Sequence, residues 1–99
     1  MSVSDNPGKS RFEITADGVV AGKAEYRRGK GEIAILHTEV DDAFEGRGLG
    51  SELVRGVLDK ARADGLAVLP FCPFTRDYIA EHPEYLDLVP EDRRSEFDL

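Results

Sequence analysis

The chain has 99 residues, 40% of them hydrophobic and 33% charged, which suits a single small folded domain. It carries 13 Lys and Arg against 20 Asp and Glu, a net charge of −7 that disfavours nucleic acid as a partner. No apolar run reaches the roughly 18 residues of a membrane span, and a single cysteine cannot form an internal disulfide. We therefore expect no nucleic-acid or membrane partner and a cytoplasmic location.

The first half of the chain predicts three antiparallel strands joined by tight turns. Residues 1–9 are polar, and we expect a flexible N-terminus. Phe12, Ile14 and Ala16 then alternate with polar residues, and Asp17-Gly18 is a hairpin signal. A return strand over residues 19–27 is predicted to place four residues on one face: Val20, Gly22, Ala24 and Tyr26. A glycine turn at 29–31 leads to a more apolar strand over 33–40.

The second half of the chain changes to helical periodicity. Apolar residues recur at helical spacing over 49–61, and Gly65 is a natural stop. Residues 66–71 predict a short buried strand, and a second helix is expected from Phe74, capped by Thr75 and ended at His82-Pro83. The order predicts an α+β fold with a mixed, mostly antiparallel sheet and one parallel crossover pair. The domain is expected over residues 10–89, followed by a loose charged tail at 90–99.

The most informative stretch is the glycine-rich loop between the third strand and the first helix. Gly46, Gly48 and Gly50 permit a tight backbone that exposes N–H groups, and the helix start adds further donors. These features favour a phosphate group. The spacing is neither the dinucleotide fingerprint nor a P-loop, so a plain tight turn is the alternative.

Residues 45–51, Glu-Gly-Arg-Gly-Leu-Gly-Ser, resemble the acyl-CoA loop of the GNAT N-acetyltransferase superfamily, with Glu45 at a position that is usually Gln or Arg. Three further stretches, at 36–40, 70–74 and 82–85, resemble the minimal, YjdJ-type subgroup of that superfamily. The resemblance covers about residues 12–89. It implies a compact GNAT-like fold whose N-terminal helical segment is absent, with two parallel strands that splay apart around acyl-CoA.

The resemblance also implies a binding mode for the co-substrate, acetyl-CoA. The pyrophosphate would lie on the backbone of the loop, formed by Glu45, Gly46, Arg47, Gly48, Leu49, Gly50 and Ser51. The pantetheine arm would pair with the strand between Thr38 and Val40. Arg47 and Arg76 are expected as partners for the remaining phosphates, and no metal is expected.

Three residues are candidates for the chemistry. Cys72 follows a buried strand and precedes a helix, where a helix dipole lowers a thiol pKa; it is either an acyl-accepting nucleophile or an inert buried residue. His37 and Glu39 are alternative general bases on the strand that lines the cleft. They share a face if this strand is regular, and a bulge near Leu36 reverses that facing. Tyr78 is a weaker candidate acid, and core packing is its alternative.

The function implied is an acetyl-CoA-dependent N-acyltransferase with an amine acceptor, either a protein lysine or a small polyamine. The alternative is a non-catalytic module that binds or senses acyl-CoA and acts through a protein partner. The short N-terminus implies an open acceptor cleft, which suits a large substrate. Exposed sheet edges leave a monomer or a weak homodimer as the expected states.

Overall fold

The computed structural model describes residues 1–99 as a five-stranded sheet with two α-helices. The elements follow one another in the order β1 (Ser2–Asn6), β2 (Arg11–Ala16), β3 (Val19–Gly29), β4 (Glu32–Val40), α1 (Leu49–Ala63), β5 (Ala67–Pro70) and α2 (Pro73–Glu81). Short 3-10 segments occupy Pro7–Lys9, Asp42–Phe44, Pro83–Leu88 and Glu91–Phe97. Neither α-helix has the length and apolar character that crossing a membrane requires.

The sheet has the strand order β1-β2-β3-β4-β5, and each strand pairs antiparallel with the next except β4 and β5, which are parallel. The predicted fold class, a mixed and mostly antiparallel sheet with one parallel pair, is confirmed. The apolar face of α1 packs across the sheet, where Leu53, Val57 and Leu58 are fully buried. Burying these side chains contributes roughly 1.5–3 kcal/mol each, so α1 anchors the core.

The N-terminus differs from the prediction of a flexible start. Residues 2–6 form an edge strand whose Val3 pairs with Ile14 of β2. A Cβ atom on Gly56 of α1 would lie 2.9 Å from the Val3 side chain, so the helix and this strand are in close contact. The tyrosine hydroxyl of Tyr26 also donates to Asp5 at 2.6 Å. A polar strand is held here because its one apolar residue packs on α1, a contact that periodicity over five residues does not reveal.

The C-terminal tail is also more ordered than predicted. The segment Glu91–Phe97 forms a 3-10 helix, and the Phe97 ring is buried at 5.2 Å from the ring of Phe71. The guanidinium of Arg76 donates to the carbonyl oxygens of Phe97 and Asp98 at 2.7 and 2.8 Å. One aromatic anchor and one arginine clamp thus fix a segment whose composition alone suggests a loose tail.

Strand β3 departs from simple alternation at a bulge. Ile14 pairs with Gly22 and Thr15 pairs with Val20, so Ala21 is an extra residue between the two pairs. As a result Ala21 is buried while Val20 is 45% exposed. The predicted facing is therefore correct for the rest of the strand and wrong for Val20, because a bulge shifts the pattern by one residue.

Candidate functional site

A second bulge, in β4, determines which residues of that strand face the core. Ile35 pairs with Tyr26 and His37 pairs with Glu25, which leaves Leu36 without a partner. Before the bulge Ile33 and Ile35 point to the helix side; beyond it that side is taken by Thr38 and Val40. His37 and Glu39 therefore share the opposite face, as the sequence analysis anticipated for a bulge at this position.

The parallel pair separates at the same point. The register between β4 and β5 runs from Glu32 with Ala67 to Ile35 with Pro70 and ends there. Beyond it, residues 36–40 continue alongside β3 only, so the other edge of β4 has no strand beside it. An unpaired strand edge presents free N–H and C=O groups, which an extended ligand can pair with.

The glycine loop lies at the far end of this open edge. Gly46 and Gly48 have φ of +80° and +74°, the left-handed region that favours glycine, and Gly48 is the N-cap of α1. None of the backbone amides from Gly46 to Ser51 donates to a backbone carbonyl, and no side chain caps the helix. Six consecutive unpaired amides at a helix start form a site suited to an anion.

A cleft of about 280 Å³ opens over these amides. Its lining comes from the end of β4, the loop and both helices: Val40, Phe44, Glu45, Gly46, Gly48, Leu49, Gly50, Ser51 and Phe74. The sequence pattern alone does not identify Phe44 and Phe74 as residues of the site. The ring of Phe74 lies 3.0 Å from where a Cβ atom on Gly50 would stand. Phe74 is 46% exposed and forms part of the cleft wall.

Arg47 projects from the loop and is held by two contacts. Its Nη1 donates to Oδ2 of Asp17, in the hairpin turn, at 2.9 Å, and its guanidinium lies 5.2 Å from the ring centre of Phe44. The hydrogen bond and the charge of Arg47 hold the pKa of Asp17 below its ordinary value. Both side chains are largely exposed, so an incoming anion can compete with Asp17 for Arg47.

Arg76 donates its hydrogen bonds to the C-terminal segment and to Asp77, and not to the loop. Its Nε and Nη2 donate to the tail carbonyls described above, and Nη1 pairs with Asp77 at 3.0 Å. Through these contacts the guanidinium of Arg76 holds the C-terminal segment in place. Arg76 therefore holds the C-terminal segment, and its expected contact with a phosphate stays a prediction.

Cys72 is buried where the two parallel strands separate. Its backbone amide donates to Ile35 at 2.9 Å, and its thiol donates to Thr38 Oγ1 at 3.5 Å. Burial raises the pKa of the thiol, but the hydrogen bonds that Thr38 and the amides of Thr75 and Phe74 can donate to the thiolate outweigh it, and the pKa lies below its ordinary value. The structure thus brings Cys72 and Thr38 together.

His37 and Glu39 form a pair on the open face of the sheet. His37 Nε2 lies 3.2 Å from Glu39 Oε1, and Lys23 Nζ lies 3.6 Å from Glu39 Oε2. The hydrogen bond with His37 and the charge of Lys23 lower the pKa of Glu39. More than half of each side chain of the pair is exposed, so both are accessible to an acceptor on this face. Tyr78 is instead buried and stacked on His82 at 3.9 Å, which matches its core alternative.

A larger cavity of about 400 Å³ adjoins the same end of β4. Its lining includes three carboxylates, Glu39, Asp41 and Asp42, with Lys23 as the one cation. A surface of this charge is complementary to a cationic molecule. The two cavities share Val40, so they meet at the end of one strand.

A mixed sheet whose parallel pair separates beside a glycine-rich helix start defines a compact GNAT-like fold. In a comparison with solved structures, a GCN5-like protein from Staphylococcus aureus matches with a TM-score of 0.68 and 25% identity, covering 90% of this chain and 87% of that one. Protein NATD1 of Xenopus tropicalis is 34% identical over 61 residues, which cover 60% of this chain and 56% of that protein. The human Protein NATD1 is 34% identical over 61 residues, which cover 60% of this chain and 54% of that protein.

The family model of the GCN5-related N-acetyltransferases matches residues 11–88. The chain belongs to this family, and the resemblance found in its sequence is confirmed. The chain spans just over half the length of the curated NATD1 relatives that it matches.

Proposed function

We propose that this chain is an N-acyltransferase that takes an acetyl group from acetyl-CoA and passes it to an amine. The observation that carries the proposal is the run of unpaired amides from Gly46 to Ser51 at the end of an open strand edge. Membership of the acetyltransferase family supports acetyl-CoA as the donor. A reducing cytoplasmic location is part of the same proposal, since the one cysteine is free.

The proposed binding mode uses three features in line. The loop amides and the N-terminal dipole of α1 hold the pyrophosphate, and Arg47 exchanges Asp17 for a phosphate oxygen. The arm of the ligand pairs with the free edge of β4 between Thr38 and Val40. Phe44 and Phe74 provide apolar walls for the cleft. This order directs the thioester toward the point where β4 and β5 separate.

The amine acceptor approaches from the open face of the sheet, where the His37 and Glu39 pair is exposed. The amine nitrogen forms a bond to the acyl carbon, the bond from that carbon to sulfur breaks so that coenzyme A leaves as its thiolate, and the amine proton passes to His37. Glu39 orients the imidazole and stabilises its protonated form. The hydrogen bond with His37 and the charge of Lys23 lower the pKa of Glu39, which makes this carboxylate a weaker base and favours this division of roles.

A two-step route through Cys72 is the alternative chemistry. Here the thiolate takes the acyl group, coenzyme A leaves as the thiolate, and the amine then displaces the cysteine sulfur. Cys72 lies beside Thr38 on the strand that would bind the arm, which favours this route. The acidic cavity lined by Glu39, Asp41 and Asp42 favours a cationic acceptor, a protein lysine or a polyamine, in either route.

Calorimetric titration with acetyl-CoA, followed by intact-mass analysis, tests the proposal. We expect saturable binding and, with an amine present, transfer of one acetyl group of about 42 Da to that amine. A transient adduct of that mass, lost in Cys72→Ser, identifies the two-step route. Absence of binding at high micromolar acetyl-CoA would remove the proposal. Binding with no transfer to any amine would favour the second candidate, a module that senses acyl-CoA.

A further inference from the structure

The first turn of α2 is capped by an unusual residue. Cys72 occupies the N-cap position, which Ser, Thr, Asp and Asn fill best because their side-chain oxygens accept from the amides two and three residues on. No side-chain cap bond forms here, and the amides of Phe74 and Thr75 donate to no backbone carbonyl. A neutral thiol is a weak acceptor, so these two donors lack a strong partner.

Thr75 adds a third donor to the same place. The sequence predicts Thr75 as the cap of this helix, but it lies three residues beyond the N-cap and is 0% exposed. Its Oγ1 is the one buried side-chain nitrogen or oxygen in the chain with no hydrogen-bond partner. Leaving such a group unpaired costs roughly 1–3 kcal/mol, so its placement calls for an explanation.

The charge of the sulfur supplies that explanation. In the neutral state the thiol donates its proton to Thr38 Oγ1 at 3.5 Å, and the Thr75 hydroxyl is left over. Once the proton is lost, the sulfur is a charged acceptor toward which both hydroxyls and both amides can donate. Burial raises the pKa of Cys72, yet the hydrogen bonds from Thr38, the amides and the Thr75 side chain lower it further than burial raises it.

We propose that Thr38, Cys72 and Thr75 form a site built for an anionic sulfur, in which Thr75 is the positioning residue that donates its hydroxyl to the Cys72 thiolate. The site is neutral apart from the sulfur. His37, next to Thr38 on β4, lies on the opposite face of the sheet, and on α2 Arg76 is paired with Asp77 and with the tail. A thiolate held in this way reacts with electrophilic carbon.

This inference rests on the proposed function only for the thioester as the natural electrophile of the thiolate; the ionisation of Cys72 requires no ligand. The test therefore uses the free protein. Because Cys72 is the only cysteine, its thiolate can be followed directly by absorbance near 240 nm as pH rises. The three tyrosines also absorb as they ionise. Their contribution is measured in the same titration of Cys72→Ser and subtracted from the wild-type curve.

Two substitutions at Thr75 separate the hydroxyl from the packing. Thr75→Val removes the hydroxyl and keeps the shape, whereas Thr75→Ser keeps the hydroxyl and removes a methyl group. We expect the wild type and Thr75→Ser to ionise below the ordinary thiol range, and Thr75→Val to ionise at higher pH. The rate of alkylation of Cys72 by iodoacetamide at pH 7, read by intact mass, should fall roughly tenfold in Thr75→Val, since one charge-assisted hydrogen bond is lost.

The titrations of the wild type and of Thr75→Val decide whether Thr75 stabilises the Cys72 thiolate. A wild-type thiol that ionises at or above the ordinary range overturns the inference without any variant, and so does a folded Thr75→Val with an unchanged titration. If Thr75→Val does not fold, Thr75→Ala removes the same hydroxyl and leaves a small cavity in place of the methyl group. A protein that passes these tests but binds no acetyl-CoA would contradict the proposed function and leave the thiolate site standing.

Discussion

The amide of Cys72 donates to the carbonyl oxygen of Ile35 at 2.9 Å, and this is the last backbone hydrogen bond that joins β4 to the segment following β5. One residue further along β4 is Leu36, the bulged residue. The pairing of β4 with β5 therefore ends at Ile35, and the facing of β4 reverses at the next residue. The backbone bond to Ile35 also fixes Cys72 at this point. This junction also brings the side chains of Thr38 and Cys72 together, because Thr38 faces the helix side only as a result of the bulge.

Gly48 is predicted to be required for acetyl-CoA binding beyond its effect on folding. An alanine at φ +74° is strained by about 1–2 kcal/mol, and the loop can relieve that strain only by turning its amides away from the ligand. We expect Gly48→Ala to weaken acetyl-CoA binding on the order of tenfold in a calorimetric titration.

Gly65→Ala is the matched control for Gly48→Ala. Gly65 has φ of +69° just beyond α1, and a Cβ atom at either glycine would meet nothing within 4 Å. Both variants should therefore lose similar thermal stability, while only Gly48→Ala loses affinity. Equal affinity losses in the two variants would mean that the loop amides do not bind the ligand.

Asp17 is predicted to restrain Arg47 in the free protein. Asp17→Asn removes the carboxylate that pairs with Arg47 at 2.9 Å and frees the guanidinium for a phosphate. An exposed pair of this kind is worth about 0–1 kcal/mol, so acetyl-CoA binding should tighten roughly two- to fivefold at low salt and converge with the wild type at high salt.

Asp77→Asn makes the same change of charge at a similarly exposed aspartate, next to Arg76, whose guanidinium is held by the C-terminal segment. Its affinity for acetyl-CoA should match the wild type within error. If Asp77→Asn tightens binding as much as Asp17→Asn does, net charge is responsible and Arg47 has no specific role.

The sequence predicts most of the fold because apolar periodicity records burial directly. The alternation in Phe12, Ile14 and Ala16 and the spacing along α1 correspond to residues that the structure buries. The two elements that the sequence does not predict, β1 and the ordered tail, each depend on a single tertiary contact. Val3 orders β1 by packing on α1, and Phe97 orders the tail by packing on Phe71, contacts that no local pattern encodes.

The part of the candidate site that is formed by the backbone can be predicted from the sequence. Of the three glycines that the sequence marks as a tight loop, Gly46 and Gly48 have a left-handed backbone. Arg76 shows the opposite case, since a lone arginine carries no signal of whether it meets a phosphate or a chain terminus. The facing of His37 and Glu39 likewise depends on a bulge, which shifts the facing by one residue without a clear sequence signature.

His37 is predicted to be the general base, with Glu39 as its positioning residue. His37→Gln should lower kcat roughly a hundredfold, the lower end of what a general base contributes, with little change in affinity for acetyl-CoA. Glu39→Gln should have a smaller effect, because it keeps the side-chain shape and removes only the charge that stabilises the protonated imidazole.

Glu25→Gln is the control for Glu39→Gln: Glu25 also lies near Lys23, at 3.7 Å, and it is the cross-strand neighbour of His37, but its carboxylate forms no ion pair with the imidazole. It should leave kcat unchanged. The acid limb of the kcat–pH profile should disappear in His37→Gln. If that limb persists there and disappears in Glu39→Gln, the two roles are reversed.

Tyr85 is predicted to make the fold sensitive to alkaline pH. Burial and the hydrogen bond that its hydroxyl donates to Asp59 at 2.7 Å raise its pKa from 10.0 to about 12. A raised pKa means that the folded state holds the proton more tightly, so this contribution to stability is complete below pH 10. It is lost as the pH rises from 10 towards 12, because the unfolded chain releases the proton first. Urea unfolding at successive pH values should show the free energy of unfolding falling over this interval, with a flatter profile in Tyr85→Phe. An equally steep fall in Tyr85→Phe would assign the alkaline sensitivity to other groups.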